Sequence, residues 1–136
     1  MPTARALVSG GVLIVALLLG YRFIHQQPQA QSPMRCEDVV AGCRIPGAAV
    51  RVAFDRVPQA MQPFLLRVDW PQARSVHASF SMQGMEMGLN RYRLLAQEPG
   101  RWEARIILPA CVQGRSDWVV RLESGTETVA LAFSAR

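Results

Sequence analysis

From Val50 onward, apolar residues return at every second position in one short run after another. VRVAF sets Val50, Val52 and Phe54 on one side and Arg51 on the other; FLLRVDW does the same with Phe64, Leu66, Val68 and Trp70 against Arg67 and Asp69. VHASFSM aligns Val76, Ala78, Phe80 and Met82, and YRL offers Tyr92 and Leu94 between arginines. WEARIIL, WVVRLE and VALAF continue with Trp102, Ala104, Ile106 and Leu108, then Trp118, Val120 and Leu122, then Val129, Leu131 and Phe133. Period-two alternation over a few residues marks a strand buried on one face, and no run keeps a helical period. VPQAMQP, PQAR, MGLN, EPG, QGR and SGT punctuate the runs with turn residues. Seven short strands so spaced predict an all-β fold, an immunoglobulin-like antiparallel β-sandwich. A small barrel is the other architecture the pattern allows.

The amino-terminal residues follow a different rule. Ala6 to Ile24 carries no charge until Arg22 and is dominated by Leu, Val, Ile and Ala. As a helix it spans about 28 Å, close to the hydrocarbon thickness of a bilayer. A cleaved signal peptide is the rival, but HQQPQAQSP contains no convincing A-x-A site, and no cysteine follows the run in a lipobox position. The expected organisation is a transmembrane anchor over residues 1–25, a linker with a disulfide loop over 26–47, and the sandwich over 48–136. With the anchor in an inner membrane, the carboxy-terminal domain faces the periplasm. Cys36 and Cys43, seven positions apart in CEDVVAGC, then pair as a structural disulfide. Their spacing is neither C-x-x-C nor a common zinc pattern.

The 136-residue chain has a formal charge of +5, and all fifteen of its cationic side chains are Arg. They are scattered, with no basic run and no interleaved aromatic platform, which argues against a nucleic-acid partner. His25 and His77 are the only histidines, so no His-assisted nucleophile is evident, and no G-x-S-x-G, H-E-x-x-H or phosphate-binding Gly loop occurs. The chain reads as a non-enzyme. Glu37 and Asp38 fall inside the expected disulfide loop as solvated acids, and His77 falls on the polar side of its strand.

One stretch carries chemistry of its own. SMQGMEMG holds Met82, Met85 and Met87, half of the six methionines in the chain. Thioether and thiolate sulfurs suit Cu(I), so Met82, Met85, Met87 and the unpaired Cys111 form a candidate donor set. A three-residue loop with Gly100 left-handed would pair Leu94 with Trp102. Extended backwards, that register sets Met85 opposite Cys111, and the neighbouring one sets Met87 there. Both odd-numbered methionines would then point away from the Tyr92 and Leu94 face. Three readings stand: a soft metal site, core and edge filling with Met82 inside, and an adaptable partner-binding patch.

The segment SMQGMEMGLNRYRLLAQEPGRWEARIILPAC resembles the YtkA-like/FixH-like periplasmic domains. The resemblance rests on Met82, Gly84, Met85, Met87 and Gly88, then Gly100 and Trp102, with Trp118 in the following strand. It implies an anchored immunoglobulin-like domain linked to copper supply and the assembly of haem-copper oxidases. Oxidase-assembly or copper-transport proteins are the partners it implies. The chain departs from the most readable copper pattern in having no His beside its methionines and in adding Cys111.

Overall fold

The computed structural model describes residues 20–21, 32–85, 90–110 and 114–136. The chain divides into two compact units, Met1–Ala30 and Gln31–Arg136. Of the first unit only Gly20 and Tyr21 are described, and both are helical. The expected anchor therefore lies almost wholly outside the described residues, among which no helix is long and apolar enough to cross a membrane.

The second unit is all-β and sandwich-like. Its strands are β1 (Met34–Arg35), β2 (Cys43–Ile45), β3 (Val50–Phe54), β4 (Pro63–Asp69), β5 (His77–Met82), β6 (Arg91–Arg93), β7 (Leu95–Glu98), β8 (Arg101–Ile107), β9 (Asp117–Ser124) and β10 (Glu127–Ser134). They form two five-stranded sheets, ordered β1-β10-β9-β5-β6 and β2-β3-β4-β8-β7. Every pairing is antiparallel except the short parallel contact of β1 with β10.

All seven predicted runs contain strands, and their alternation is their burial pattern except at Val119, which is buried out of phase, and at Tyr92 and Ala104, which are half-buried. Val50, Val52 and Phe54 are buried in β3, Phe64, Leu66 and Val68 in β4, and Ala78, Phe80 and Met82 in β5. Successive side chains of a strand point to opposite faces, so each run supplies one apolar face, and the two such faces meet in a common core. At its centre lie five rings. Phe54 and Phe64 come from one sheet, and Phe80, Tyr92 and Phe133 from the other. Phe80 meets Phe64, Tyr92 and Phe133 near-perpendicularly at centroid distances of 6.3, 5.9 and 6.4 Å. Phe54 lies 5.0 Å from both Phe64 and Phe133.

The flanks of the sandwich differ from the sequence-based expectation. Cys36 and Cys43 are bonded, as predicted. Residues assigned to the linker nonetheless belong to the folded body: Cys43–Ile45 is a strand, and Cys36, Val39 and Ile45 are buried. A three-residue strand is too short for alternation to reveal it. Because β1 and β2 are edge strands of opposite sheets, the disulfide clips one sheet edge to the other. The loop between them is locally closed, with the Asp38 carboxylate accepting the Val40 and Ala41 amides at 3.0 and 2.9 Å. Its Val39 carbonyl accepts the Phe54 amide at 2.8 Å.

On the opposite flank the run from Arg91 to Glu98 is two strands, β6 and β7, not one. It changes sheets at Leu94, whose amide donates to the Val76 carbonyl at 2.9 Å and whose side chain is buried. The Tyr92 hydroxyl, held in one sheet, donates to the Ile107 carbonyl of the other at 2.9 Å. Ala96, not Leu94, therefore faces Trp102, and Glu98 faces Arg101 across a two-residue Pro99–Gly100 turn, with a bulge beside it. Gly100 has the expected positive φ, 77°. A Cβ there would also sit 2.8 Å from the Pro71 backbone, so the turn needs glycine twice over.

Replacing Cys36 and Cys43 together by alanine opens an eight-residue loop. The expected loss is about 2 kcal/mol in urea unfolding, mostly through the unfolded state. Phe80→Ala removes the ring that touches three others and is expected to cost about 3–5 kcal/mol in the same measurement.

Candidate functional site

The connection after β5 is built around a tight turn. Met85 donates its amide to the Met82 carbonyl at 3.0 Å, with Gly84 between them at φ 76°. A β-turn of type II requires positive φ at this third position, which glycine adopts without strain. The second residue of the turn, Gln83, is held from both sides by the chain entering β9. Its amide donates to the Asp117 carbonyl at 3.3 Å. Its carbonyl accepts from Arg115 Nη2 at 2.9 Å. The same guanidinium pairs with the Asp117 carboxylate through Nε at 2.9 Å and through Nη2. The β5–β6 connection and the β8–β9 connection are thus joined at one end of the sandwich.

The donor set inferred from the sequence is distributed unevenly about this junction. Met82 is a core side chain, 1% exposed and opposite Trp118 in the ladder. Its thioether is occupied in packing. Met85 is half-buried and packs against the margin of the core. The expectation that it points away fails because the chain reverses at Gly84, so strand parity no longer applies. Met87 and Cys111 lie outside the described residues. The expected pairing of Met85 or Met87 with Cys111 extends a Leu94–Trp102 ladder, and that ladder is not formed. The chain changes sheets at Leu94, and the isolated bridge partner of Met85 is Met82.

Sequence reasoning missed two contributors at this end. Arg115 reads as one of many surface arginines, and only its spacing of two from Asp117 hints at a shared role. Met61 reads as part of a turn between prolines. Its φ is 61°, uncommon for a residue with a Cβ, and its amide donates to the Leu108 carbonyl at 2.9 Å. The side chain is 66% exposed, beside Ile107 and Pro63, which face each other across β8 and β4.

A hollow of about 260 Å³ opens beside the Gln83 junction, lined in part by Arg35, Cys36, Glu37, Gln83, Asp117 and Trp118. That is below the ~300–1,000 Å³ of most small-molecule sites. Among the described residues, no group of three or more His, Cys, Asp or Glu side chains is placed to hold a metal ion. A sulfur-based set is a different chemistry, and Met85 is its described member. His77 is half-buried on the outer face of its sheet, between Arg93 and Glu123.

No family model matches the chain, and neither a curated protein nor a solved structure matches it.

The Arg115 hydrogen bond holds the Asp117 carboxyl below the ordinary aspartate range, against a smaller opposing effect of burial. A depressed pKa in the folded state means that the contact stabilises at neutral pH and is lost only as pH falls through that depressed value. Arg115→Ala is therefore expected to raise the Asp117 pKa toward the ordinary value in an NMR titration. It should also lower stability at pH 7, and the Asp117 share of that loss should disappear as pH falls through the depressed pKa, leaving the loss of the Gln83 hydrogen bond.

Proposed function

We propose that this chain is a membrane-anchored, periplasm-facing, immunoglobulin-like protein that handles Cu(I) through Met and Cys sulfurs. Its task is copper supply or respiratory oxidase assembly, and it performs no catalysis of its own. The strand order supports the immunoglobulin-like reading. β3-β4-β8-β7 and β6-β5-β9-β10 follow the order in which the first, second, fifth and fourth strands of that fold share a sheet, opposite the rest. The observation that carries the functional reading is the junction at Gln83. It joins the Met-bearing turn to Arg115 and Asp117, which follow Cys111 by four and six positions in the sequence.

Cu(I) favours thioether and thiolate donors and tolerates low coordination numbers, which suits Met85, Met87 and Cys111 as donors. Met82 supports the turn from beneath. The anchor reading supplies the inner membrane as the first partner, and oxidase-assembly or copper-transport proteins as the next. A second reading has its own observation. Met61 and Ile107 are 66% and 45% exposed at the same end, as a docking patch for a membrane complex requires.

Anaerobic Cu(I) titration against a chromophoric chelator separates the two. The carrier reading expects tight one-to-one binding, weakened at least tenfold in Met85→Leu/Met87→Leu and in Cys111→Ser. Failure of the unsubstituted protein to compete with the chelator would leave the docking reading.

A further inference from the structure

The two outer faces of the sandwich carry charge differently. On the sheet built from β2, β3, β4, β8 and β7, Arg67 meets Glu103 at 3.1 Å, and Arg101 meets Glu98 and Asp69 at 3.0 and 3.6 Å. Arg51 donates to the Ala41 carbonyl at 2.8 Å. Arg44 and Arg105 remain, three strands apart. That face has three carboxylates for five arginines, with Arg44, Arg51 and Arg105 lacking a carboxylate partner among the described residues.

Where β6, β5 and β9 pair, the outer face has one carboxylate for three arginines. Its outward positions align as Arg93, His77 and Glu123 in one row and Arg91, Ser79 and Arg121 in the next. Arg91 reaches diagonally to Glu123 at 2.7 Å, which uses the one carboxylate in these rows. Arg93 and Arg121 are exposed and form no ion pair among the described residues. The face thus presents unmatched positive charge over three adjacent strands, spaced about 4.8 Å apart.

We propose that this face docks on the anionic phospholipid headgroups of a membrane surface. Charge complementarity supplies the attraction, at about fivefold in partition per arginine near the surface. The composition of the face selects lipid over protein. Protein interfaces depend on aromatic or large aliphatic anchors. The large exposed apolar residues of the sandwich among the described residues, Val40, Met61, Leu95 and Ile107, lie elsewhere. Arg, His and Ser side chains on a sheet suit a plane of phosphates, which asks only for charge and hydrogen-bond donors. This inference is independent of copper. It gives the sandwich a preferred orientation on the membrane, with β6, β5 and β9 toward the bilayer.

The test uses the full chain with vesicles of phosphatidylcholine alone and with added phosphatidylglycerol. An arginine-selective dicarbonyl reagent is followed residue by residue by mass spectrometry. Arg93 and Arg121 are expected to react at least fivefold more slowly on the anionic vesicles, with Arg105 unchanged and the protection lost in 1 M salt. Arg93→Gln/Arg121→Gln should reduce the preference for anionic over neutral vesicles by roughly 25-fold. Equal reaction rates on the two lipids would overturn the proposal. Protection by soluble polyglutamate, with none from vesicles, would overturn it in favour of an acidic protein partner.

Discussion

The architecture depends on the edge-to-face contact of Phe80 with Phe64, because that contact is where the two sheets recognise each other. Phe80 lies on β5 and Phe64 on β4, consecutive strands in different sheets. Phe133 and Tyr92 extend the cluster to two further strands, and Phe54 closes it against both Phe64 and Phe133. Ring edges are weakly positive and ring faces weakly negative, so these packings reward specific relative positions as well as burial. They also penalise errors of register. A slip of one residue in β5 would turn Phe80, Ala78 and Met82 outward and bring His77, Ser79 and Ser81 into the core.

With the sheets held face to face, each flank needs closing, since edge strands present unpaired backbone groups. The chain solves this in two ways. On one flank the disulfide joins the end of β1 to the start of β2, and Val39 packs beneath the loop while its carbonyl takes the Phe54 amide. On the other, a single extended segment serves both sheets by crossing at Leu94, with the Tyr92 hydroxyl spanning the gap to Ile107. The first solution is covalent and the second is a hydrogen bond plus a buried leucine. Both leave the ends of the sandwich to the connecting segments, which is where chemistry can vary without disturbing the core.

Alternation made the six long strands and the three-residue β6 legible, with most of their buried side chains, because a half-buried strand has no other way to satisfy both faces. The Cys36–Cys43 bond was legible from spacing and from the expectation of an oxidising compartment. The short strands β1, β2 and β7 were not, since two to four residues hold too little pattern, and β7 is exposed along its whole length. The Met site was legible in its residue types and misread in its geometry. Parity counting assumes an unbroken strand. Gly84 reverses the chain before Met85, and Leu94 carries it to the other sheet before Trp102. No local signal in LNRYRLLAQE distinguishes a strand that switches sheets from one that stays. The Arg115–Gln83 contact joins residues 32 apart in sequence, which pattern reading along the chain does not reach.

Preorganisation separates a metal carrier from an adhesive surface. A soft-ion site needs its sulfurs held within a fraction of an ångström, by neighbours whose own positions are settled. A docking patch needs only exposed apolar area. Met61 and Ile107 provide such area, with the Met61 amide bonded to the Leu108 carbonyl and both Ile107 backbone groups to the Tyr92 hydroxyl. In the turn that presents Met85, Gln83 is held at both its amide and its carbonyl by Asp117 and Arg115, and Met85 is tied back to the Met82 carbonyl. The Met82 side chain fills the core directly below. Under the proposed function, the fixed turn would present Met85 to copper, and the exposed residues around Met61 would be the surface a receiving protein touches.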